Sequence, residues 1–111
     1  MFRERKNPRF TNSKYGDLSA RVKKDNDGSD YILYRFSDIS EDGIQLWIDP
    51  DRLVLSIGDS VAGVIVDRTG EPLTSFAGQV VWVDQSNLGI RYYQEITIPN
   101  QIIAMEIADL G

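Results

Sequence analysis

The sequence contains no cysteine and no histidine. Without cysteine there is no disulfide framework and no thiol nucleophile or thiolate metal ligand, the usage expected of a cytoplasmic protein. Without histidine the usual imidazole base and the commonest metal ligand are missing. No stretch is apolar enough over sufficient length to cross a bilayer, and the basic N-terminal residues lack the apolar core of a signal peptide. The expectation is a cytoplasmic domain with no metal, no cofactor and no membrane insertion. At 111 residues the chain has room for one modest core. Its 41% hydrophobic and 10% aromatic content argues against disorder.

The net charge of −5 conceals an asymmetry. Residues 1–24 hold eight Lys/Arg against Glu4 and Asp17, a balance of +6, whereas the remainder sets four arginines against fifteen carboxylates, a balance of −11. A basic arm on an acidic body suits a compact anion. A long nucleic acid would be repelled over most of the surface.

Residues 1–15 show no apolar periodicity, and Pro8 holds Asn7 extended, so this segment reads as a flexible basic arm with the folded domain over 16–111. Alternation then predicts strands over 16–24, 31–37, 43–48, 60–67, 75–84 and 88–94, with Leu88, Ile90 and Tyr92 on one face. The Asp25–Asp30 loop is rich in oxygens. Gly28 falls too early for a calcium loop, however, and no bidentate Glu follows at the right distance. After Pro99 the period changes and predicts a short amphipathic helix through Ile102, Ile103 and Met105. Six short antiparallel strands with a turn every ten or so residues imply a small mainly β barrel, which removes exposed sheet edges.

Between the second and third predicted strands lies Asp38-Ile39-Ser40-Glu41-Asp42-Gly43. Asp and Ser bond their own backbone in such a connection, and Gly43 can take a positive φ at no steric cost. Glu41 and Asp42 read as solvated turn acids, since no nucleophile, base or metal partner accompanies them. Upstream, Arg5 and Arg9 stand four apart on the extended arm, about 13 Å from one another at a strand-like rise. An RxxxR followed one hairpin later by DxSxxG, on a small β-rich chain ending in Gly89-Ile90-Arg91-Tyr92, resembles the PilZ domain family of bacterial cyclic di-GMP receptors. The resemblance spans nearly the whole chain. It implies a six-stranded antiparallel β-barrel with a C-terminal helix, a non-enzymatic function, and outputs in motility, exopolysaccharide production and biofilm formation through a partner protein.

The residue chemistry agrees. Arginine's planar fork pairs bidentately with phosphate oxygens or guanine O6 and N7, and it stacks on a base. The Asp38 carboxylate accepts from the guanine N1–H and N2–H₂ donors, Ser40 can donate or accept, and Gly43 permits close approach. The resemblance therefore implies a site of Arg5, Arg9, Asp38, Ser40 and Gly43. Arg3, Lys6 and Trp82 are candidate secondary contacts; packing is the competing role for Trp82, and Trp47 reads as packing or surface. Family members that bind an intercalated ligand pair often carry an arginine just before RxxxR. Glu4 stands there instead and favours one ligand per site or weaker binding, with Arg3 and Lys6 as candidate compensating cations. Two other classes compete: a PilZ-like protein adaptor without strong nucleotide binding, and a small barrel binding single-stranded nucleic acid on aromatics.

Overall fold

A computed structural model describes residues 10–11, 18–25, 28 and 30–103. Seven strands appear in it: β1 (Phe10–Thr11), β2 (Ser19–Lys24), β3 (Ile32–Ile39), β4 (Gly43–Trp47), β5 (Ser60–Val66), β6 (Pro72–Val83) and β7 (Asn87–Tyr92). All pairings are antiparallel. Strands β2 to β7 run in the order β3-β2-β5-β6-β7-β4, and β4 pairs back onto β3 to close the barrel. The expected six-stranded barrel is therefore the fold. A 3₁₀ turn at Pro50–Arg52 follows β4, with Asp49 as its N-cap. Residues 100–103 form a helical turn begun at Pro99, whose carbonyl accepts from Ile102 N–H at 3.0 Å. The rest of the predicted helix lies outside the described residues.

Strand β1 is the addition. Within the arm expected to be flexible over 1–15, Phe10 pairs with Ile39 and Thr11 with Asp38. Two residues are too few to leave an alternation pattern, so only the pairing reveals them.

The core follows from the alternation. Ala20 and Val22 of β2, Phe36 and Ile39 of β3, Ile44 and Leu46 of β4, and Val61 and Ile65 of β5 point inward and are buried. Leu88, Ile90 and Tyr92 line one face of β7 as expected, and Tyr92 packs against Phe76 at a ring separation of 5.1 Å.

Two departures from strict alternation matter for the surface. The β3–β4 register passes from Phe36↔Leu46 to Asp38↔Gln45, leaving Ser37 as an extra residue. The β6–β7 register passes from Val80↔Ile90 to Trp82↔Gly89, leaving Val81 extra. Each bulge inverts the faces of the residues after it. Without the first, Asp38 would share the inward face of Phe36, whereas Ile39 is buried in its place. Without the second, Trp82 would follow Val80 into the core, whereas Val83 packs there.

Candidate functional site

The two bulges bring their displaced residues into one row across the outside of the sheet. Asp38 on β3 pairs with Gln45 on β4, Gln45 with Gly89 on β7, and Gly89 with Trp82 on β6. At about 4.8 Å per strand the row spans about 14 Å from Asp38 to Trp82. Gly89 at its centre is bare for a reason: a Cβ there would lie 2.2 Å from Nε1 of Trp82. The indole thus rests against β7 at Gly89. Trp82, for which the sequence offers ligand contact or packing, is half-buried and stands outside the core cluster. Trp47 is half exposed and belongs to the surface.

Two positions along β4 and β7, on the same face, lies a second row, Gly43 paired with Arg91 and Arg91 with Gln79. Together the rows floor a surface pocket of 310 Å³ whose lining includes Asp42, Gly43, Gln45, Trp82 and Arg91. Asp42 and Arg91 are its charged members. A larger cavity of 540 Å³ lies between β6 and residues 93–97 and contains no residue of either motif.

The turn that carries the motif is clamped from both sides. Ser40 N–H donates to the Gly43 carbonyl at 2.9 Å, Tyr92 N–H to the Asp42 carbonyl at 2.9 Å, and Ile96 N–H to the Glu41 carbonyl at 2.9 Å. Gly43 does not use a positive φ; the described glycines that do are Gly28, Gly58 and Gly70. What demands glycine at 43 is close approach, since a Cβ would sit 2.7 Å from the Ile90 carbonyl oxygen of the adjacent strand.

Ser40 is fully buried, the one buried polar side chain among the described residues. Its hydroxyl donates to the Asp42 carboxylate and lies 3.4 Å from the Gly43 carbonyl. Asp42 is therefore not the solvated turn acid its sequence context implies. It is half-buried, bonded to Ser40, and part of the pocket wall. In this arrangement Ser40 holds the turn and presents no hydroxyl outside.

Of the expected site residues, the structure brings Gly43 and Trp82 into one pocket and puts Asp38 at the end of the row that floors it. Arg3, Arg5, Lys6 and Arg9 lie outside the described residues. Sequence reading missed Asp42, Gln45 and Arg91 as pocket residues. Arg91 sits opposite Gly43 in the ladder, a relation visible only once the register is known.

Gly89→Ala tests the row directly. The added methyl displaces the indole, which is half exposed and has somewhere to go, so the barrel stays folded. The expected result is a red-shifted tryptophan emission with a denaturation midpoint close to wild type. An unchanged emission spectrum would mean the indole does not rest on β7.

A family model described as PilZ domain matches residues 3–107. No curated protein matches the chain. Among solved structures, the K. pneumonia MrkH–c-di-GMP complex is similar at a TM-score of 0.59 and 20% identity, covering 98% of this chain and 52% of that one. The chain thus spans about half the length of that protein, and at this identity the likeness is one of fold.

Proposed function

The chain belongs to the PilZ domain family, and from that premise we propose that it is a non-enzymatic cytoplasmic receptor domain for cyclic di-GMP that passes ligand occupancy to a partner protein. The observation that carries the reading is the row Asp38–Gln45–Gly89–Trp82. A carboxylate and an amide at one end suit the hydrogen-bonding edge of a guanine, and an indole lying on a bare strand at the other suits its face. Arg91 adds a cation for a phosphate. The similar MrkH structure is a complex with c-di-GMP, which supports the choice of ligand.

At 310 Å³ the pocket is at the lower end of the about 300–1,000 Å³ that small-molecule sites occupy. A dinucleotide with two guanines overfills it, so the arm must supply the remaining contacts. Arg5 and Arg9 are the proposed clamp, with Arg3 and Lys6 as secondary contacts. Strand β1 favours the arm as the source of these contacts, because Phe10, which directly follows Arg9 in the chain, is paired beside Asp38. Micromolar affinity needs about −8 kcal/mol. Ordering a free seven-residue segment at about 1–2 kcal/mol per residue would consume such a sum. An arm tethered at β1 has fewer residues to order. Ser40 contributes by holding Asp42 and the turn, and Gly43 by keeping β4 close to β7.

The test is a calorimetric titration of cyclic di-GMP into the whole chain, with GTP as control. Saturable heat at micromolar concentrations, a stoichiometry near one as Glu4 implies, and no heat with GTP are expected. A burial of Ser40 that withholds its hydroxyl favours the competing reading, a PilZ-like adaptor without strong nucleotide binding. Absence of heat at tens of micromolar would decide for that reading.

A further inference from the structure

The opposite end of β3 and β4 from the motif turn carries more than half of the exposed large apolar side chains among the described residues. Of nine large apolar side chains exposed among the described residues, Tyr31, Ile32, Leu33, Trp47 and Val54 lie there, with Leu33 at 62%. Isolated exposed hydrophobics are ordinary; a contiguous set marks an interaction surface. Two clefts run through this one. One of 380 Å³ separates β3 from residues 47–53, and one of 330 Å³ lies between β2, β3 and Val54–Leu55. Ile32 and Tyr34 wall both, so the clefts adjoin.

Backbone and charge say what fits. On one side residues 32–35 of β3 are paired with β2, but the ladder to β4 begins only at Phe36. The β4-side edge of residues 32–35 therefore has no strand against it among the described residues, and it forms a wall of the larger cleft. An open edge of this kind accepts an added strand. The rim is basic on an acidic body: Lys23, Lys24, Arg35 and Arg52 face Asp30 and Asp49. Asp49 is engaged in capping, accepting from Asp51 N–H at 3.0 Å. Lys24 approaches Asp59 at 3.8 Å, and the Lys23 ammonium lies over the Tyr31 ring at 5.1 Å. Arg35 and Arg52, half of the arginines in residues 25–111, have no ion pair among the described residues.

We propose that this surface docks an extended, acidic segment of a partner protein, which adds along the open edge of β3, seats apolar side chains in the two clefts and sets carboxylates against Arg35 and Arg52. A lipid surface fits less well. Clefts of this size take side chains singly, and a bilayer offers no strand to the open edge. The inference does not rest on the nucleotide reading, because no residue of the motif pocket takes part in it.

The test is selection of a phage-displayed random dodecapeptide library on the whole chain, without nucleotide. The selected peptides are then measured against Leu33→Ser and against the double variant Arg35→Glu/Arg52→Glu. All three positions are exposed or lie outside the core cluster, and circular dichroism checks that both variants fold. The expected peptides alternate apolar residues with Asp or Glu, bind at least about tenfold more weakly to the charge-reversed variant, and shift the amide resonances of residues 32–35 and 47–53. Selected peptides without acidic enrichment, or peptides that bind wild type and both variants equally, would overturn the proposal. So would failure to select any peptide while the chain sediments with vesicles of phosphatidylcholine and phosphatidylglycerol, which would identify a lipid-facing surface instead.

Discussion

Gly78→Ala is expected to lower the unfolding free energy by about 3 kcal/mol, the upper part of the range for overpacking. Propensity alone argues the reverse, since replacing glycine by alanine inside a strand ordinarily gains about 0.5–1 kcal/mol. Geometry decides. A Cβ at Gly78 would lie 2.3 Å from the Arg91 carbonyl oxygen and 2.9 Å from its carbon, both backbone atoms. A side-chain tip can swing away; a paired strand cannot. Gly78 is bonded into ladders with Val61 on β5 and Tyr92 on β7, so relief on one side strains the other. Moving β7 would also drag Ile90 and Tyr92 from the core and Arg91 from the pocket. Against a typical stability of about 5–15 kcal/mol the loss is large. Urea denaturation reads it as a lower midpoint with an unchanged slope. A midpoint equal to or above wild type would show that β6 and β7 are not so closely apposed at this point.

The same comparison of pattern with geometry explains how much of the molecule was legible in the sequence. Alternating residues such as Leu88, Ile90 and Tyr92 declare their strand because period two is a local property. Closure into a barrel follows from strand number and the cost of open edges. A bulge is different. Phe36-Ser37-Asp38-Ile39 reads as continuing alternation, and only the pairing partners reveal that Ser37 is extra and Asp38 faces out. Trp82 was ambiguous for the same reason, one residue beyond the extra Val81. The candidate site was thus recognisable as a motif but not as a surface. Its row across four strands, the opposition of Gly43 and Arg91, and the bond from Ser40 to Asp42 are products of register and burial, which no linear spacing encodes. At Gly43 the demand for glycine has a different physical cause from the turn geometry the sequence suggests: crowding by Ile90, not a left-handed φ, excludes a side chain.

Arg9→Ala is expected to weaken cyclic di-GMP binding about ten- to a hundredfold, and the Arg5→Ala/Arg9→Ala double variant to abolish measurable heat. A bidentate arginine contact is worth about 1–3 kcal/mol, and each 1.4 kcal/mol is tenfold. Two such losses take a micromolar complex beyond the reach of calorimetry. The 310 Å³ pocket cannot compensate, because it accommodates only part of a dinucleotide. Arg9→Lys separates the roles of charge and shape. Lysine keeps the positive charge but lacks the planar fork, so it recovers only a small part of the affinity if Arg9 reads a phosphate pair or a guanine edge. Full recovery with lysine would reduce the arm to an electrostatic attractor, and the wild-type affinity would then fall steeply with salt. Unchanged binding in the double variant would remove the clamp altogether. It would leave Asp38, Trp82 and Arg91 as the binding surface, and β1 as a tether for the arm with no part in recognition.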